Sequence, residues 1–368
     1  MKAIPSSNVA AAAWNSFCKA SRNAWLFHRY EWMELESRYF VRTNHSFGIE
    51  DHGQLIAVCP LYLSDSHGVS GTERLLHCGI HRHTGVALAP DLPQATVNAA
   101  RAAAMMRIME VAEREDADRI QMNVHNLTPE SMGPFRPEIP FWVEDYGFEL
   151  GLAFAPTGMM PAPGMATCNA DQIVELDVSP DALFSRLEDR NAVRKAESSG
   201  LRCALAGGPD DLARYLRVAH LSAARTGEVL PPDDYYKDIL ARFFAEGQCM
   251  IVFAMKDEKV AAAVLLLVDK AGASYLAGAS DPEFLHTRAN DFVHWSALLW
   301  ARSAGLRFYR LGPWFPTVSR DWPISKVSRF KKKFGGRSFT IIQGSLFRHP
   351  EKYRANAQAV LQSVFPPL

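Results

Sequence analysis

Hydrophobic and polar positions follow a pattern that predicts a short series of elements in the first half of the chain. Residues 45–50 and 54–63 flank the turn Asp51-His52-Gly53 and predict a β-hairpin. A helix follows from about Pro93 to Arg114, with alanine and methionine on its buried side, and then a strand over residues 119–125. Hairpin, helix and strand in this order indicate one mixed α/β domain.

The second half repeats this order. Residues 249–255 and 260–268 predict another hairpin around Asp257-Glu258-Lys259, and a third strand covers 273–278. A helix over about 287–304 ends at Gly305 and precedes a strand over 306–311. The two halves repeat the order of predicted elements rather than the residues, because they share little sequence identity. It predicts two similar domains, each a central mixed β-sheet flanked by helices.

A Pro/Gly-rich stretch separates the two halves. Residues 159–164 read MMPAPG and are the candidate linker. We therefore expect an N-terminal domain over residues 1–160, a second domain over 165–345 and a C-terminal helix over 346–368.

The composition limits the classes of protein to consider. Hydrophobic content of 48% and charged content of 22% over 368 residues indicate a folded protein with a sizeable core. Lys+Arg 40 against Asp+Glu 40 argues against a protein that coats nucleic acid, and no DNA partner is expected, although local RNA contact stays open. Six cysteines lie without C-x-x-C spacing, which predicts free thiols in a reducing compartment and no zinc site.

No apolar run approaches the roughly 20 residues that span a bilayer. The N-terminal stretch VAAAAW over residues 9–14 is too short for a convincing signal peptide. We therefore expect a cytoplasmic protein without a transmembrane segment, while peripheral membrane contact and the oligomeric state stay open.

Positive charge is concentrated over residues 326–337, in the sequence KVSRFKKKFGGR. No acidic residue interrupts this run in a chain whose formal net charge is zero. Grouped cations suit an anion such as a phosphate, a pyrophosphate or a developing oxyanion. A solvated basic turn is the alternative, since short Lys/Arg runs are common on surfaces.

Taken with this run, several segments make the chain similar to the FemAB-like branch of the GNAT acyltransferase superfamily, whose members are also described as BioF2-like acetyltransferases. Trp14, Phe17, Phe27, His28 and Trp32 resemble the family's opening aromatic pattern. The second half carries the resemblance in the family's order, at residues 190–201 (RNAVRKAESSGL, a basic helix end), 221–236 (with Arg-Thr-Gly, prolines and a tyrosine), 275–305 (YLAGAS … N … HW … G) and 311–336 (a strand ending in glycine, then FKKKFGG).

The resemblance implies tandem GNAT-like domains, with the active site in the second, and transfer of an acyl or aminoacyl group to an amine. The best-known members take amino acids from aminoacyl-tRNA for peptidoglycan precursors, and related ones are thought to use acyl-CoA. No tightly bound cofactor is implied. The co-substrate is acyl-CoA or aminoacyl-tRNA, and the acceptor is a small-molecule, peptide or glycan amine of cell-envelope or related chemistry. Direct attack by a neutral amine needs positive charge where the oxyanion forms, and no covalent intermediate.

The resemblance also implies site residues. Lys331, preceded by Phe330, falls where the family places a lysine near the reacting carbonyl or an acceptor phosphate. Lys332 and Lys333 take this role if the register of the resemblance shifts by one or two residues, and they are otherwise substrate-binding candidates. Asp291 and His294 share a helical face, so one of them is a candidate base. Substrate-binding candidates are Arg190, Arg194, Lys195, Arg225, Tyr275, Asn290 and Trp314.

Structural roles are open for most of these residues. Arg190, Arg194 and Lys195 are expected to end a helix, where cations interact favourably with the macrodipole. Arg225 precedes Gly227, a position typical of a helix that ends at glycine. Asp291 and His294 also fit a helix cap and a histidine at the edge of the core. Tyr275 and Trp314 could simply fill core, and the loop His81-Arg82-His83 is a substrate-lining candidate rather than a metal site.

The sequence departs from the glycine-rich loop with which acetyl-CoA-dependent GNAT domains hold pyrophosphate at a helix N-terminus. RSAGLR over residues 302–307 lies at a helix end, and prolines separate RHTGVA over 82–87 from the next helix. The sustained heptads that accompany a tRNA partner in some members are also absent. A non-catalytic tandem-GNAT protein that binds a ligand or partner is the alternative, and an RNA- or phosphate-binding module is the third hypothesis.

Overall fold

The computed structural model describes residues 1–40, 42–68, 71–79, 84–133, 139–150, 170–314 and 323–349, together with residues 351, 354 and 358. The chain divides into two compact units. The first unit comprises Met1–Ala170, Phe315–Lys326 and Thr340–Leu368, and the second comprises Asp171–Trp314 and Val327–Phe339.

The strands are β1 (Lys2–Pro5), β2 (Thr43–Asn44), β3 (Phe47–Asp51), β4 (Gln54–Cys59), β5 (Tyr62–Gly68), β6 (Gly71–His77), β7 (Ala87–Leu88), β8 (Arg119–Asn123), β9 (Glu149–Leu150), β10 (Ala170–Glu175), β11 (Leu201–Leu205), β12 (Cys249–Lys256), β13 (Lys259–Asp269), β14 (Gly272–Ser280), β15 (Phe308–Trp314), β16 (Arg337–Thr340) and β17 (Gln343–Phe347). The α-helices are α1 (Ala11–Ala20), α2 (Tyr30–Tyr39), α3 (Gln94–Arg114), α4 (Phe141–Glu144), α5 (Pro180–Ser185), α6 (Arg190–Ser198), α7 (Leu212–Thr226), α8 (Asp233–Phe243), α9 (Ala289–Ser303) and α10 (Pro323–Lys332).

Two sheets form the first unit, in the orders β1-β3-β4-β7 and β2-β5-β6-β8-β17-β9. Helix α3 buries Ala100, Ala104, Met105 and Ile108 in a core that also contains Phe47 and Ile120. Strand β8 follows α3 and pairs in parallel with β6. This parallel pairing follows from the helical crossover, since a strand that returns through a helix can lie beside its predecessor in the same direction.

A single seven-stranded sheet forms the second unit, in the order β11-β12-β13-β14-β15-β10-β16. Strands β12, β13 and β14 are antiparallel neighbours, and α9 then crosses over so that β15 pairs in parallel with β14. The nearly continuous apolar run of β13 is explained by its central place, where both faces of the strand are buried.

The predicted mixed α/β class, with helices flanking central sheets, is confirmed. Hairpins β3–β4 and β12–β13, helices α3 and α9 and strands β8 and β15 lie where the pattern predicts them. The predicted strand over 54–63 is interrupted at Pro60, which lacks a backbone N–H, and the chain resumes as β5.

One predicted helix end was wrong, because Arg190 begins α6. The side chain of Asp189 accepts a hydrogen bond from the backbone N–H of Ala192 at 3.1 Å and thereby caps the helix N-terminus. The cations of α6 therefore do not all lie at its C-terminal end.

Part of the basic run is helical rather than a turn. Helix α10 carries it as far as Lys332, and Gly335 and Gly336 follow with positive φ. A Cβ on Gly336 would lie 2.3 Å from the carbonyl oxygen of Ile173 in β10, so only glycine allows this approach.

The predicted linker over 159–164 and the loop over 81–83 lie outside the described residues. Of the predicted helix over 346–368, residues 346 and 347 belong to β17, and most of the remainder is also outside them.

Candidate functional site

A fork opens between two parallel strands of the second unit. β14 and β15 pair only at Gly272–Phe308, Ala273–Tyr309 and Ser274–Arg310. Beyond these pairs β14 continues to Ser280 and β15 to Trp314. We call residues 275–280 and 311–314 the fork. Within the described residues the two strands are not paired with each other along the fork, which leaves a gap in the sheet between them.

A β-bulge accompanies the fork. Leu265 pairs with Ala277 and Leu266 with Tyr275, which leaves Leu276 as the extra residue of β14. Bulges bend a strand and interrupt its pairing, and they are frequent beside active sites. Tyr275 to Gly278 on one strand, and Pro313 and Trp314 on the other, are half-buried. Tyr275 and Trp314 thus lie at an open edge of the core.

The ammonium group of Lys331 lies at this fork. Its Nζ donates a hydrogen bond to the carbonyl oxygen of Pro313 at 2.7 Å. Gly312 has a φ of +85°, and a Cβ at that position would lie 3.3 Å from the lysine Nζ. Glycine therefore gives the strand its turn and leaves room for the ammonium group.

Burial lowers the pKa of Lys331 to about 8, and the nearby positive charge of Arg310 adds to this effect while Asp171 opposes it. Arg310 and Asp171 form a buried ion pair at 2.7 Å, and Arg310 also donates to the Ser274 hydroxyl at 3.2 Å. At neutral pH Lys331 is thus mostly a cation, held in an environment where a negative charge would be strongly favoured.

His294 lies in an aromatic cluster next to this lysine. Its ring centroid is 5.0 Å from that of Tyr275, 5.3 Å from Phe330 and 5.2 Å from Phe334. Burial lowers the pKa of His294 to about 3, and the charges of Lys331 and Lys333 add to this effect. The imidazole is therefore neutral at neutral pH, and it is too weak a base to keep a proton taken from an amine.

Asp291 occupies the first turn of α9 and holds two cations. Its carboxylate pairs with Lys333 and lies 3.5 Å from Arg288. Arg288 also reaches Asp189, the cap of α6, at 2.7 Å. Lys333 further lies over the ring of Phe330, 4.3 Å from its centroid. This network joins the N-termini of α6 and α9 to the end of α10.

The structure brings together most of the residues predicted from sequence. Phe330, Lys331, Lys333, His294, Asp291, Tyr275 and Trp314 share the fork and its aromatic cluster. Lys332 lies over the Trp314 ring at 5.0 Å, and Asn290 is half-buried beside Asp291 at the start of α9.

Four predicted substrate-binding cations are exposed on helices, and no contact joins them to Lys331 within the described residues. Arg190 and Lys195 lie on α6 together with Arg194, which stacks on Phe184 at 5.4 Å. Arg225 lies in the last turn of α7, which ends at Gly227 in a left-handed conformation with a φ of 75°. This geometry is that of an ordinary glycine helix end.

Sequence reasoning missed three residues at the fork. The Arg310–Asp171 pair sets the electrostatic environment of Lys331, and Tyr309 lies with its hydroxyl 3.5 Å from His294 Nδ1. An arginine in the middle of the apolar strand FYRLGPW was the available indication, because a buried charge requires a partner.

Within the described residues, no cluster of three or more His, Cys, Asp or Glu side chains could hold a metal ion. No helix in that part of the chain is long and apolar enough to cross a bilayer.

Comparison with known proteins relates this architecture to a family. Residues 185–323 match the family model described as acetyltransferase (GNAT) domain. Among solved structures, FemX matches over 96% of this chain and 99% of its own, with a TM-score of 0.69 and 14% identity. No curated protein matches the chain in sequence.

Two further solved structures share the fold. The C-terminal domain of a protein described as a lysylphosphatidylglycerol synthetase from Agrobacterium fabrum matches over 96% of both chains, with a TM-score of 0.56 and 13% identity. L-PGS from Bacillus licheniformis covers 86% of this chain and 89% of its own, with a TM-score of 0.51 and 11% identity. The family match over residues 185–323 and the shared fold agree with the resemblance read from the sequence and support acyl transfer.

Proposed function

Because residues 185–323 match a GNAT acetyltransferase domain and the chain shares its fold with FemX, we propose that the protein transfers an aminoacyl or acyl group to an amine acceptor at the fork. The observation that carries the proposal is the position of Lys331. Its ammonium group lies 2.7 Å from the Pro313 carbonyl, beside two strands that diverge. An ester or thioester carbonyl between those strands would develop its negative charge beside this cation.

Lys331 has the properties of an oxyanion stabiliser. When the amine attacks the carbonyl, the tetrahedral intermediate carries a full negative charge on oxygen. A lysine that is already placed and partly desolvated stabilises this charge more than water does, since little reorganisation is needed. In the free protein this placement is unfavourable for the cation, and the lowered pKa of Lys331 reflects it.

We assign Asp291 and His294 to positioning rather than to proton transfer. Asp291 is held by two cations, and His294 has a pKa of about 3. His294 is therefore not a suitable acceptor for a proton from an ammonium ion, and the Asp291 carboxylate is already engaged by Lys333 and Arg288. Asp291 instead holds Lys333, which follows the end of α10, and His294 packs against Phe330, which precedes Lys331 on that helix. The amine is expected to enter as the neutral base and to pass its proton to the leaving oxygen or sulfur.

The start of α9 favours an aminoacyl ester over a CoA thioester as donor. Asp291 lies in the first turn of this helix and is paired there with Lys333 and Arg288, so the segment before the helix decides whether a pyrophosphate can be held. The preceding segment begins with Asp281, whose side chain caps it, and it contains no glycine. Aminoacyl-tRNA is therefore the proposed donor class, with acyl-CoA as the comparison.

The test is a single-turnover transfer assay with aminoacyl-tRNA or acetyl-CoA and a panel of amines. Replacing one oxyanion-stabilising donor costs about 100- to 1,000-fold in rate, so Lys331→Met should lose this much while remaining folded. Lys237→Ala is the control, because Lys237 is an exposed lysine on α8 that pairs with nearby Asp234. A Lys331→Met protein with full activity would contradict the proposal, and turnover with acetyl-CoA alone would overturn the choice of donor.

A further inference from the structure

A second cavity lies wholly within the first unit, away from the fork in sequence. It encloses about 180 Å³ beside the end of β8 and the start of α4. Its lining combines charged, amide and aromatic side chains, among them Arg101, Glu130, Asn123, His125, Phe141 and Trp142. This volume is below the roughly 300–1,000 Å³ of pockets for drug-sized ligands, so the cavity suits a small molecule.

One side of the cavity is fixed by hydrogen bonds. His28 Nε2 lies 3.1 Å from the Gly85 carbonyl oxygen, and its Nδ1 accepts from the Trp25 backbone N–H at 3.2 Å. Both nitrogens of His28 are thereby used, and the ring is held as the neutral tautomer with its proton on Nε2. Gly85 closes against β8, where a Cβ would lie 2.6 Å from the Asn123 carbonyl oxygen. This side of the cavity is therefore preorganised in the absence of a ligand.

Asn123 supplies an acceptor that the described protein does not use. Its side chain is 2% exposed, and its Nδ2 donates to the Gly79 carbonyl oxygen at 3.4 Å. Its Oδ1 has no hydrogen-bond partner among the described residues. A buried amide oxygen without a donor is costly, so this oxygen favours a ligand or water that supplies an N–H or O–H.

Two opposite charges border the cavity without pairing. Arg101 is the largest favourable charge acting on the Glu130 carboxylate, and burial raises the pKa of that carboxyl. Nevertheless, no ion pair within 4.0 Å joins them in the described part of the chain. Arg101 lies over the Phe141 ring at 4.9 Å, and its buried Nε has no hydrogen-bond partner there. Within the described residues the guanidinium and the carboxylate are thus not paired with each other, and the guanidinium keeps an N–H without an acceptor.

We propose that this cavity binds a small zwitterion of the α-amino acid class. The ligand carboxylate would meet the Arg101 guanidinium, and its ammonium would donate to Glu130 and to Asn123 Oδ1. Phe141 and Trp142 would cover its side chain. The residues that line this cavity do not include any residue of the fork, and the proposal does not depend on the transfer reaction proposed above.

The charge pattern separates this ligand class from simpler ones. An anion without an ammonium would leave Glu130 unpaired beside it, and an amine without a carboxylate would leave Arg101 unpaired. A zwitterion satisfies both groups and the free amide oxygen at once. A nucleotide exceeds the cavity in size.

The experiment is isothermal titration calorimetry of the full chain with free glycine, alanine, serine and leucine. Propionate and propylamine serve as ligands that carry one charge each. At least one amino acid should bind at millimolar or lower concentration. Each singly charged analogue should bind about tenfold or more weakly than that amino acid, since a charge-assisted hydrogen bond is lost.

Variants locate the site. Arg101→Gln and Glu130→Gln should each weaken binding of the amino acid by about tenfold or more. Arg107→Gln, on the same helix and paired with Glu110 at the surface, should leave it unchanged. Lys331→Met should also leave it unchanged, which separates this site from the fork. No binding by any amino acid, or equal binding to Arg101→Gln and Glu130→Gln proteins with wild-type thermal stability, would overturn the proposal.

Discussion

Lys331 shows how a single residue can be unfavourable for folding and suitable for chemistry. Its ammonium group is partly removed from water and lies near Arg310, and both effects destabilise the charged form. A transient negative charge on a substrate would offset both the loss of water and the repulsion by Arg310. The same groups that lower the pKa of this lysine therefore prepare it to stabilise an oxyanion.

The pH dependence of the reaction should report this lysine. Since the lysine acts as a cation, kcat/KM should decrease as pH rises through about 8, where Lys331 loses its proton. The measurement is kcat/KM for wild type and Lys331→Met over the same buffers and acceptor, so that titration of the amine contributes equally to both profiles. The ratio of wild-type to variant rates should fall above pH 8 and remain flat below it. A ratio that does not change with pH would show that the charge of Lys331 is not used.

At the scale of elements, the fork results from three local features that act on neighbouring strands. The bulge at Leu276 bends β14, Gly312 turns β15 with a positive φ, and α10 follows β15 with its lysine directed at the gap. Each feature alone would weaken the sheet. Together they create an opening whose edges are held by the rest of the seven-stranded sheet.

The effect of the space beside Gly312 on the reaction can be measured separately from the effect of its backbone conformation on stability. Alanine at a positive φ costs about 1–2 kcal/mol of stability, and here its Cβ would also crowd the Lys331 ammonium. Gly305 is the matched control, because it has a φ of +78° with nothing within 4 Å of an added Cβ. Urea denaturation should show similar destabilisation for Gly312→Ala and Gly305→Ala, whereas only Gly312→Ala should reduce the transfer rate. Equal rates in the two variants would mean that the space beside Gly312 is unimportant.

The elements were predictable where local patterns determine them. Hairpin β12–β13 follows from two apolar runs around Asp257-Glu258-Lys259, and α9 from its apolar periodicity and Gly305. The start of α6 was mispredicted although Asp189 is a typical N-cap residue, because the resemblance suggested a helix end there. The Arg310–Asp171 pair and the fork depend on strands that are distant in sequence, so no local pattern reveals them.

At the scale of the whole molecule, both units repeat one arrangement of a strand, a helix and a parallel strand. It consists of β6, α3 and β8 in the first unit and of β14, α9 and β15 in the second. The first unit is discontinuous in sequence, however, since β17 lies between β8 and β9 in its six-stranded sheet. This strand comes from residues 343–347.

Removal of β17 should therefore damage the first unit selectively. In a chain ending at Thr340, β8 loses its antiparallel partner and β9 loses its pairing with residues 344 and 345. The backbone amides of β8 should exchange hydrogen for deuterium much faster, while those of β12 and β13 remain protected, because the second unit ends at Phe339. Full protection of β8 in the shortened chain would show that β17 is dispensable. Loss of protection in β13 would show that the units do not fold separately.

The late position of β17 also affects the order in which a ribosome completes the two units. Every segment of the second unit has been synthesised at Phe339, before the strand that completes the larger sheet of the first unit. During that interval β8, although translated early, has an open edge that can pair with other chains. The first unit, most of which is synthesised first, is thus the last to complete its sheet. A chaperone that covers the open edge of β8 would be most useful during this interval.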